Sequence, residues 1–174
     1  TLIYILFALA IIYATQCIYQ LDASERAVIL RFGKFYEEQD EGLNFRFAGI
    51  DDRYIENVSL TRRYTQTNSM LTQDENIVDI TVSVQYRIAN LKDFVLNVKD
   101  PENSLRNAIE SALRHEVGDN TFLNTTTQGR EDIAQGVQTR LQGYLDIYQT
   151  GLAVQQVNLE KTDPPSEVKE AFDD

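Results

Sequence analysis

Few residues in this chain are equipped for bond-making chemistry, and their spacing narrows the options further. There is one histidine and one cysteine. His115 falls off the apolar stripe of a helix predicted over Pro101–Val117, near its C-terminal end, where a cation complements the helix dipole; its reading is structural. A zinc site needs three or four nitrogen or sulfur ligands, more than His115 and Cys17 can supply. Asp51-Asp52 and Asp173-Asp174 are adjacent carboxylates, but neighbours on an extended chain point apart, so they read as solvated turn and helix-surface charge. No Gly-x-Ser-x-Gly elbow, phosphate-binding glycine loop or dinucleotide fingerprint occurs. A Ser-Lys dyad is a matter of three-dimensional geometry and stays open. Asn57-Val58-Ser59 and Asn124-Thr125-Thr126 fit the glycosylation pattern, which matters only in a eukaryotic secretory setting. The expectation is a protein with no catalytic, cofactor-binding or metal-binding residues.

Composition excludes further classes. The formal net charge is −11 and the only dense basic pair is Arg62-Arg63, so a phosphate backbone finds no cationic surface here. Anionic lipid headgroups are repelled for the same reason, and membrane attachment has to come from apolar insertion. Hydrophobic content of 43% with 25% charged residues is that of folded protein rather than a disordered chain. Cys17 falls in the apolar N-terminal stretch, so the remainder cannot form an internal disulfide and the redox compartment is left open.

The element that positions everything else is Leu2–Tyr19, which carries no charge. As one helix it would rise about 27 Å, close to the ~30 Å hydrocarbon thickness of a bilayer. Leu2, Ile3, Ile5, Leu6, Phe7, Leu9, Ile11, Ile12 and Ile18 together favour insertion by about 3 to 5 kcal/mol, which outweighs Gln16. Tyr19 stands at the level of an interfacial aromatic. The reading is a membrane anchor over residues 1–19. A signal peptide is the rival, with Ala8-Leu9-Ala10 as its cleavage mimic, and a buried core helix is the other. Because Thr1 already lies beside this stretch and Asp174 falls within a helical pattern, a longer protein is expected.

Next come short strands. Ala27–Phe35 places Val28, Leu30 and Phe32 on one face, with Arg31 on the other and Gly33 ending the run. Glu37–Glu41 reads as an acidic turn, after which Leu43, Phe45 and Phe47 alternate with Asn44 and Arg46. These aromatics are either ordinary core or, with Leu43 and Ile50, contacts with the edge of the lipid. A third strand is expected over Tyr54–Tyr64. The clearest two-residue period is Val78–Ile88, a strand with one face to the core and one to water, fed by the Gln73–Asn76 turn.

Then the period changes. Asp100-Pro101-Glu102 is a helix start, and Leu105, Ala108, Ile109, Ala112, Leu113 and Val117 follow at helical spacing up to Gly118. A second helix is expected over Gln128–Tyr148, burying Ile133, Val137, Leu141, Tyr144 and Tyr148, with Gly151 as its break. Leu152–Leu159 is a closing strand whose apolar phase slips between Val154 and Val157, which predicts a bulge or two buried faces. Pro164-Pro165 then opens another helix over Ser166–Ala171. The fold class is α+β: residues 20–70 form a small membrane-proximal antiparallel β subdomain, 71–163 a sheet-plus-helices subdomain, and 164–174 the start of a long helix.

Several of these stretches resemble a known family. Glu25-Arg26-Ala27-Val28, Arg31-Phe32-Gly33-Lys34 and Gly42-Leu43 are similar to the opening of an SPFH or band 7 domain (stomatin/prohibitin/flotillin/HflK-C). Met70 to Val78, Val84-Gln85-Tyr86-Arg87, Ser104-Leu105-Arg106, Ser111-Ala112-Leu113-Arg114 and Pro164 to Asp174 resemble the bacterial HflK branch of that family. Two departures fall near the anchor: Glu41-Gly42-Leu43 stands where the family has Pro-Gly-Leu, and Arg46–Gly49 lacks a proline common there. The resemblance implies a single-pass protein of the bacterial inner membrane with its domain on the periplasmic side. It implies a non-catalytic scaffold that co-assembles with a paralogue, HflC, into a large ring or cage and regulates the membrane ATP-dependent protease FtsH. It also implies that Pro165, Val168 and Phe172 begin an oligomer-forming helix. A membrane-tethered serine-type peptidase and a lipid-sensing adaptor of stomatin type are the alternatives.

Overall fold

A computed structural model describes residues 2–97, 99–127 and 129–163. Helix α1, Leu2–Cys17, covers most of the apolar stretch. It stops two residues short of Tyr19 because Ile18–Leu21 is drawn into strand β1, which pairs with β4, Gly42–Phe45, in the register Ile18↔Phe45 to Leu21↔Gly42. The amide of Arg46 donates to the Cys17 carbonyl at 2.8 Å and so closes the helix end. Ile18 and Tyr19, expected in the helix, are strand residues. Among the described residues no helix is long and apolar enough to cross a membrane; the sixteen residues of α1 rise about 24 Å.

The second sheet has the order β3-β2-β5, with β2 at Glu25–Arg31, β3 at Lys34–Gln39 and β5 at Asp51–Asn57. Where the sequence suggested one strand over Ala27–Phe35, there is a hairpin. Phe32 and Gly33 form its two-residue turn, with φ of +51° and +75°, between the paired Arg31 and Lys34. Two left-handed residues match the twist of the flanking strands. Phe32 therefore does not join Val28 on the inner face; it stands out at the tip. Ala27, Val28 and Ile29 are buried in succession, so both faces of β2 are covered. Glu37–Gln39, read as part of a turn, completes β3.

The third sheet, β6-β7-β8, is formed by Arg62–Leu71, Ile77–Ile88 and Leu152–Asp163, all antiparallel. The single strand expected over Tyr54–Tyr64 is thus two, β5 and β6, which belong to different sheets. The Thr72–Asn76 turn is closed by Thr72 N–H on the Asn76 carbonyl at 2.9 Å, and Glu75 takes the left-handed conformation there. The phase slip read in the closing strand is real: β8 carries register shifts opposite Gln85/Tyr86 and Thr81/Val82.

Helices α2, Leu91–Asn97, α3, Pro101–Gly118, α4, Phe122–Thr126, and α5, Arg130–Ile147, are the remaining elements of the described residues. Asp100 caps α3, accepting from the Asn103 amide at 3.1 Å. Helices α2 and α4 have seven and five residues, too few for a periodic pattern to stand out. The core forms where Val78, Ile80, Val82 and Val84 of β7 meet Leu105, Ile109, Ala112 and Leu113 of α3 and Ile133, Val137 and Leu141 of α5. Val28 belongs to the same cluster, with Leu30 and Val58 against it, so the second sheet is rooted in that core. Tyr148, expected on the buried stripe of α5, caps the helix end and is largely exposed.

Candidate membrane-facing site

The residues expected to meet lipid are arranged around one buried ion pair. Asp51, at the start of β5, has a side chain only 1% exposed. Its carboxylate accepts from Arg31 Nε at 2.8 Å and Nη2 at 3.0 Å, and from the Phe47 amide at 2.8 Å. Arg31 stands at the end of β2, directly across from Asp51 in the strand register. Its guanidinium also lies 3.7 Å from the centroid of the Tyr36 ring and 5.1 Å from that of Phe47. Hydrogen bonding to Arg31, helped by the Phe47 amide, holds the Asp51 carboxyl below the usual carboxylate range against the opposing effect of burial. Asp51 was expected to be solvated turn charge. Its neighbour Asp52 is solvated, whereas Asp51 is turned inward by the strand alternation.

This anchor shapes the loop that precedes it. The Ile50 and Asp51 amides donate to the Phe47 carbonyl at 3.2 and 3.0 Å, and Arg46 Nη1 donates to the Asp51 carbonyl at 3.1 Å. The loop is also tied to α1, since the Tyr13 hydroxyl donates to the Ala48 carbonyl at 3.0 Å. Tyr13 lies one helical turn before Cys17, so the loop reaches about 6 Å back along α1 from its end.

Around this frame the apolar side chains face outward. Leu43 is 78% exposed, Phe45 51%, Phe47 43% and Ile50 42%. Phe45 and Phe47 stack edge to face with centroids 5.1 Å apart. On α1, Ile3, Ile5, Leu6, Phe7, Leu9, Ile11 and Ile12 are all exposed. Ile18 is exposed on β1, and Tyr19 is half-buried beneath Arg53, whose guanidinium lies 4.3 Å from its ring centroid. Sequence reasoning missed Phe32, which at 79% exposure extends the same apolar rim; its amide lies 3.4 Å from the Ile50 carbonyl. The signal was present in the Phe32-Gly33 pair between two alternating runs. Pro165, Val168 and Phe172 lie outside the described residues, as do Asp173-Asp174.

His115 is exposed, with Nδ1 3.1 Å from Asp119 Oδ2 at the end of α3. Among the described residues no cluster of three or more His, Cys, Asp or Glu could hold a metal ion. The Asp74 carboxylate accepts from the Phe122 amide at 2.8 Å and the Thr72 hydroxyl at 2.7 Å, which hold it below the usual carboxylate range and fasten the β6–β7 turn to α4.

Comparison with known proteins points one way. The model of the SPFH domain / Band 7 family matches residues 19–174. Protein HflK of Vibrio cholerae serotype O1 is 41% identical over 156 residues, covering 90% of this chain and 40% of the relative. Protein HflK of Vibrio parahaemolyticus is 40% identical over 156 residues, covering 90% and 39%. The protein named modulator of FtsH protease HflK in Escherichia coli K12 is 38% identical over 167 residues, covering 96% and 40%. The chain thus spans about two-fifths of the length of these curated relatives.

Proposed function

The chain belongs to the SPFH domain / Band 7 family, and from that membership we propose that it is a non-catalytic membrane scaffold that regulates the membrane ATP-dependent protease FtsH. The observation that carries the membrane part is the apolar surface of α1, exposed along its length and continued by Leu43, Phe45, Phe47, Ile50 and Phe32. So large a continuous apolar surface is unfavourable in water and favourable in lipid. In this reading α1 is the embedded part of a single-pass anchor in the bacterial inner membrane. The Tyr13–Ala48 bond then sets the loop beside the last turn of α1, at interfacial depth, and the domain stands on the periplasmic side.

The regulatory part rests on the relatives. One of them is named a modulator of FtsH protease. We carry that role to this chain, with the paralogue HflC as the partner with which it builds a large ring or cage. Residues 20–70 are then the membrane-proximal unit and 71–163 the second unit. Residues 164–174 begin the helix that extends the wall, with Pro165, Val168 and Phe172 on it. The reading predicts restriction of substrate access rather than turnover.

The test is crosslinked purification of the full-length protein from native membranes. Recovery of FtsH and HflC together in a large particle supports the reading. A protein recovered without either, or one that degrades a peptide on its own, overturns it.

A further inference from the structure

A net charge of −11 predicts that anionic lipid headgroups are repelled, but the fold distributes that charge unevenly. Arg31, Lys34 and Asp51 stand level with one another at the hairpin end of the second sheet, and Arg53 stands two residues further along β5. Arg46 belongs to the same end, since its Nη1 donates to the Asp51 carbonyl. Lys92 reaches it from α2, with Nζ 4.6 Å from the centroid of the Phe35 ring. Most acids of this sheet lie toward the other end. Glu38 pairs with Val28, Glu56 with Arg26 and Glu25 with Asn57, while Asp40 and Glu41 follow β3.

At the hairpin end the carboxylates are mostly engaged. Asp51 is held by Arg31, and Glu37 accepts from Gln39 Nε2 at 2.6 Å, which leaves Asp52 in solvent. The cations are not. Lys34, Arg46, Arg53 and Lys92 form no ion pair among the described residues, whereas Arg26 at the far end is paired with both Glu38 and Asp40. Arg53 and Lys92 rest instead on the ring faces of Tyr19 and Phe35. A ring holds a cation from one side and leaves its outward N–H groups available. Lys34, Arg53 and Lys92 are all exposed.

We infer that these cations form a band that binds anionic phospholipid headgroups, seated just above the apolar rim. The inference rests on the membrane reading proposed above and adds which lipid the rim prefers. The two layers match a bilayer in depth. Phe32 stands out at the hairpin tip, and Phe47 and Ile50 face outward from the neighbouring loop. Arg53 lies about 7 Å along the strand from the level of Asp51, and the headgroup layer is roughly 5–7 Å thick on each side of the hydrocarbon. With the apolar side chains at the hydrocarbon edge, Lys34, Arg53 and Lys92 come level with the phosphates. The Arg53 fork can take two phosphate oxygens, and each lysine adds a point charge. A zwitterionic headgroup offsets its phosphate with its own ammonium, so a headgroup of net negative charge gains more from the band.

Distance decides why the overall negative charge does not prevail. Glu56 lies five residues along β5 from Asp51, about 17 Å, which is twice the ~8 Å screening length at physiological ionic strength. Acids at that level weaken the attraction little. They also favour the orientation in which the hairpin end meets the bilayer and the acidic end points away from it.

The test reconstitutes the full chain in phosphatidylcholine vesicles that hold a trace of spin-labelled lipid. Electron paramagnetic resonance then compares labelled phosphatidylglycerol with labelled phosphatidylcholine in the immobilised shell around the protein. Phosphatidylglycerol should be enriched at least about threefold, and about 0.5 M salt should remove most of that enrichment. Lys34→Gln, Arg53→Gln and Lys92→Gln combined should bring the two lipids to parity with the circular dichroism unchanged. Arg53→Lys alone should keep most of the enrichment. If the triple variant fails to fold, the single substitutions carry the comparison, each lowering the enrichment about 1.4-fold for equal contributions. Parity of the two lipids around the native protein overturns the inference and leaves the membrane reading standing. Enrichment that the substitutions leave unchanged overturns it as well, and no immobilised shell of either lipid overturns both.

Discussion

Arg31 and Asp51 face each other across β2 and β5 and are joined by two hydrogen bonds of 2.8 and 3.0 Å, with the Asp51 side chain out of water. That pair fixes the loop before Asp51, and the loop fixes where Phe47 and Ile50 point. An electrostatic contact inside the fold therefore decides which apolar side chains are offered outside it.

Acid should loosen this region first. The folded pKa of Asp51 is depressed, so its stabilisation is fully present above the unfolded carboxylate value of about 3.9 and is lost as pH falls through the lower folded value. Asp51→Asn should remove that part of the acid dependence and lower the midpoint at neutral pH. Thermal unfolding of both forms between pH 2 and 7 checks this; a parallel acid dependence in the variant counts against it.

The apolar rim should respond to charge without loss of fold. Phe45→Asp and Phe47→Asp should each weaken vesicle binding roughly fivefold, the equivalent of about 1 kcal/mol for a charge near the membrane interface. Flotation with lipid-probe labelling measures it, and unchanged circular dichroism shows the domain intact. Unaltered labelling would mean that these rings are no more than surface.

At the hairpin tip, Phe32 occupies a left-handed position that Asn or Gly takes more readily. Phe32→Asn should stabilise the domain by roughly 0.5–1 kcal/mol in denaturant titration, while reducing vesicle binding. Phe32→Val should destabilise it, since a β-branched side chain suits that conformation least.

Gly151 joins α5 to β8 where no side chain fits. Its φ is +71°, and a Cβ there would lie 2.1 Å from the Asn90 carbonyl oxygen. The Gly151 carbonyl also accepts from the Ala89 and Asn90 amides at 2.8 and 3.0 Å. Gly151→Ala should cost more than about 1 kcal/mol, since strain and clash add. Gly143→Ala, on the open face of α5, should be neutral or stabilising by up to about 1 kcal/mol.

The periodic elements were legible because one face of each is buried. Val78–Ile88 shows its alternation, α3 its helical stripe and Asp100-Pro101 its start. The hairpin at Phe32-Gly33 was hidden because Leu30 and Phe32 continue the alternation straight through the turn. Tyr148 kept the stripe of α5 but fell beyond its last turn. Asp51 looked like ordinary turn charge, because nothing in a linear chain reveals that Arg31, twenty residues earlier, lies opposite.

By itself the chain's order of residues determined its family, through motifs in the right order, and its α+β class and the apolar character of its first helix, through local period and composition. Only the tertiary structure decided that Asp51 is buried and paired, that Phe32 joins an outward rim, and that side chains of α5 reach the main chain of β8. These depend on which strands become neighbours, and neighbours are chosen by long-range packing around Val78–Val84 rather than by any local signal.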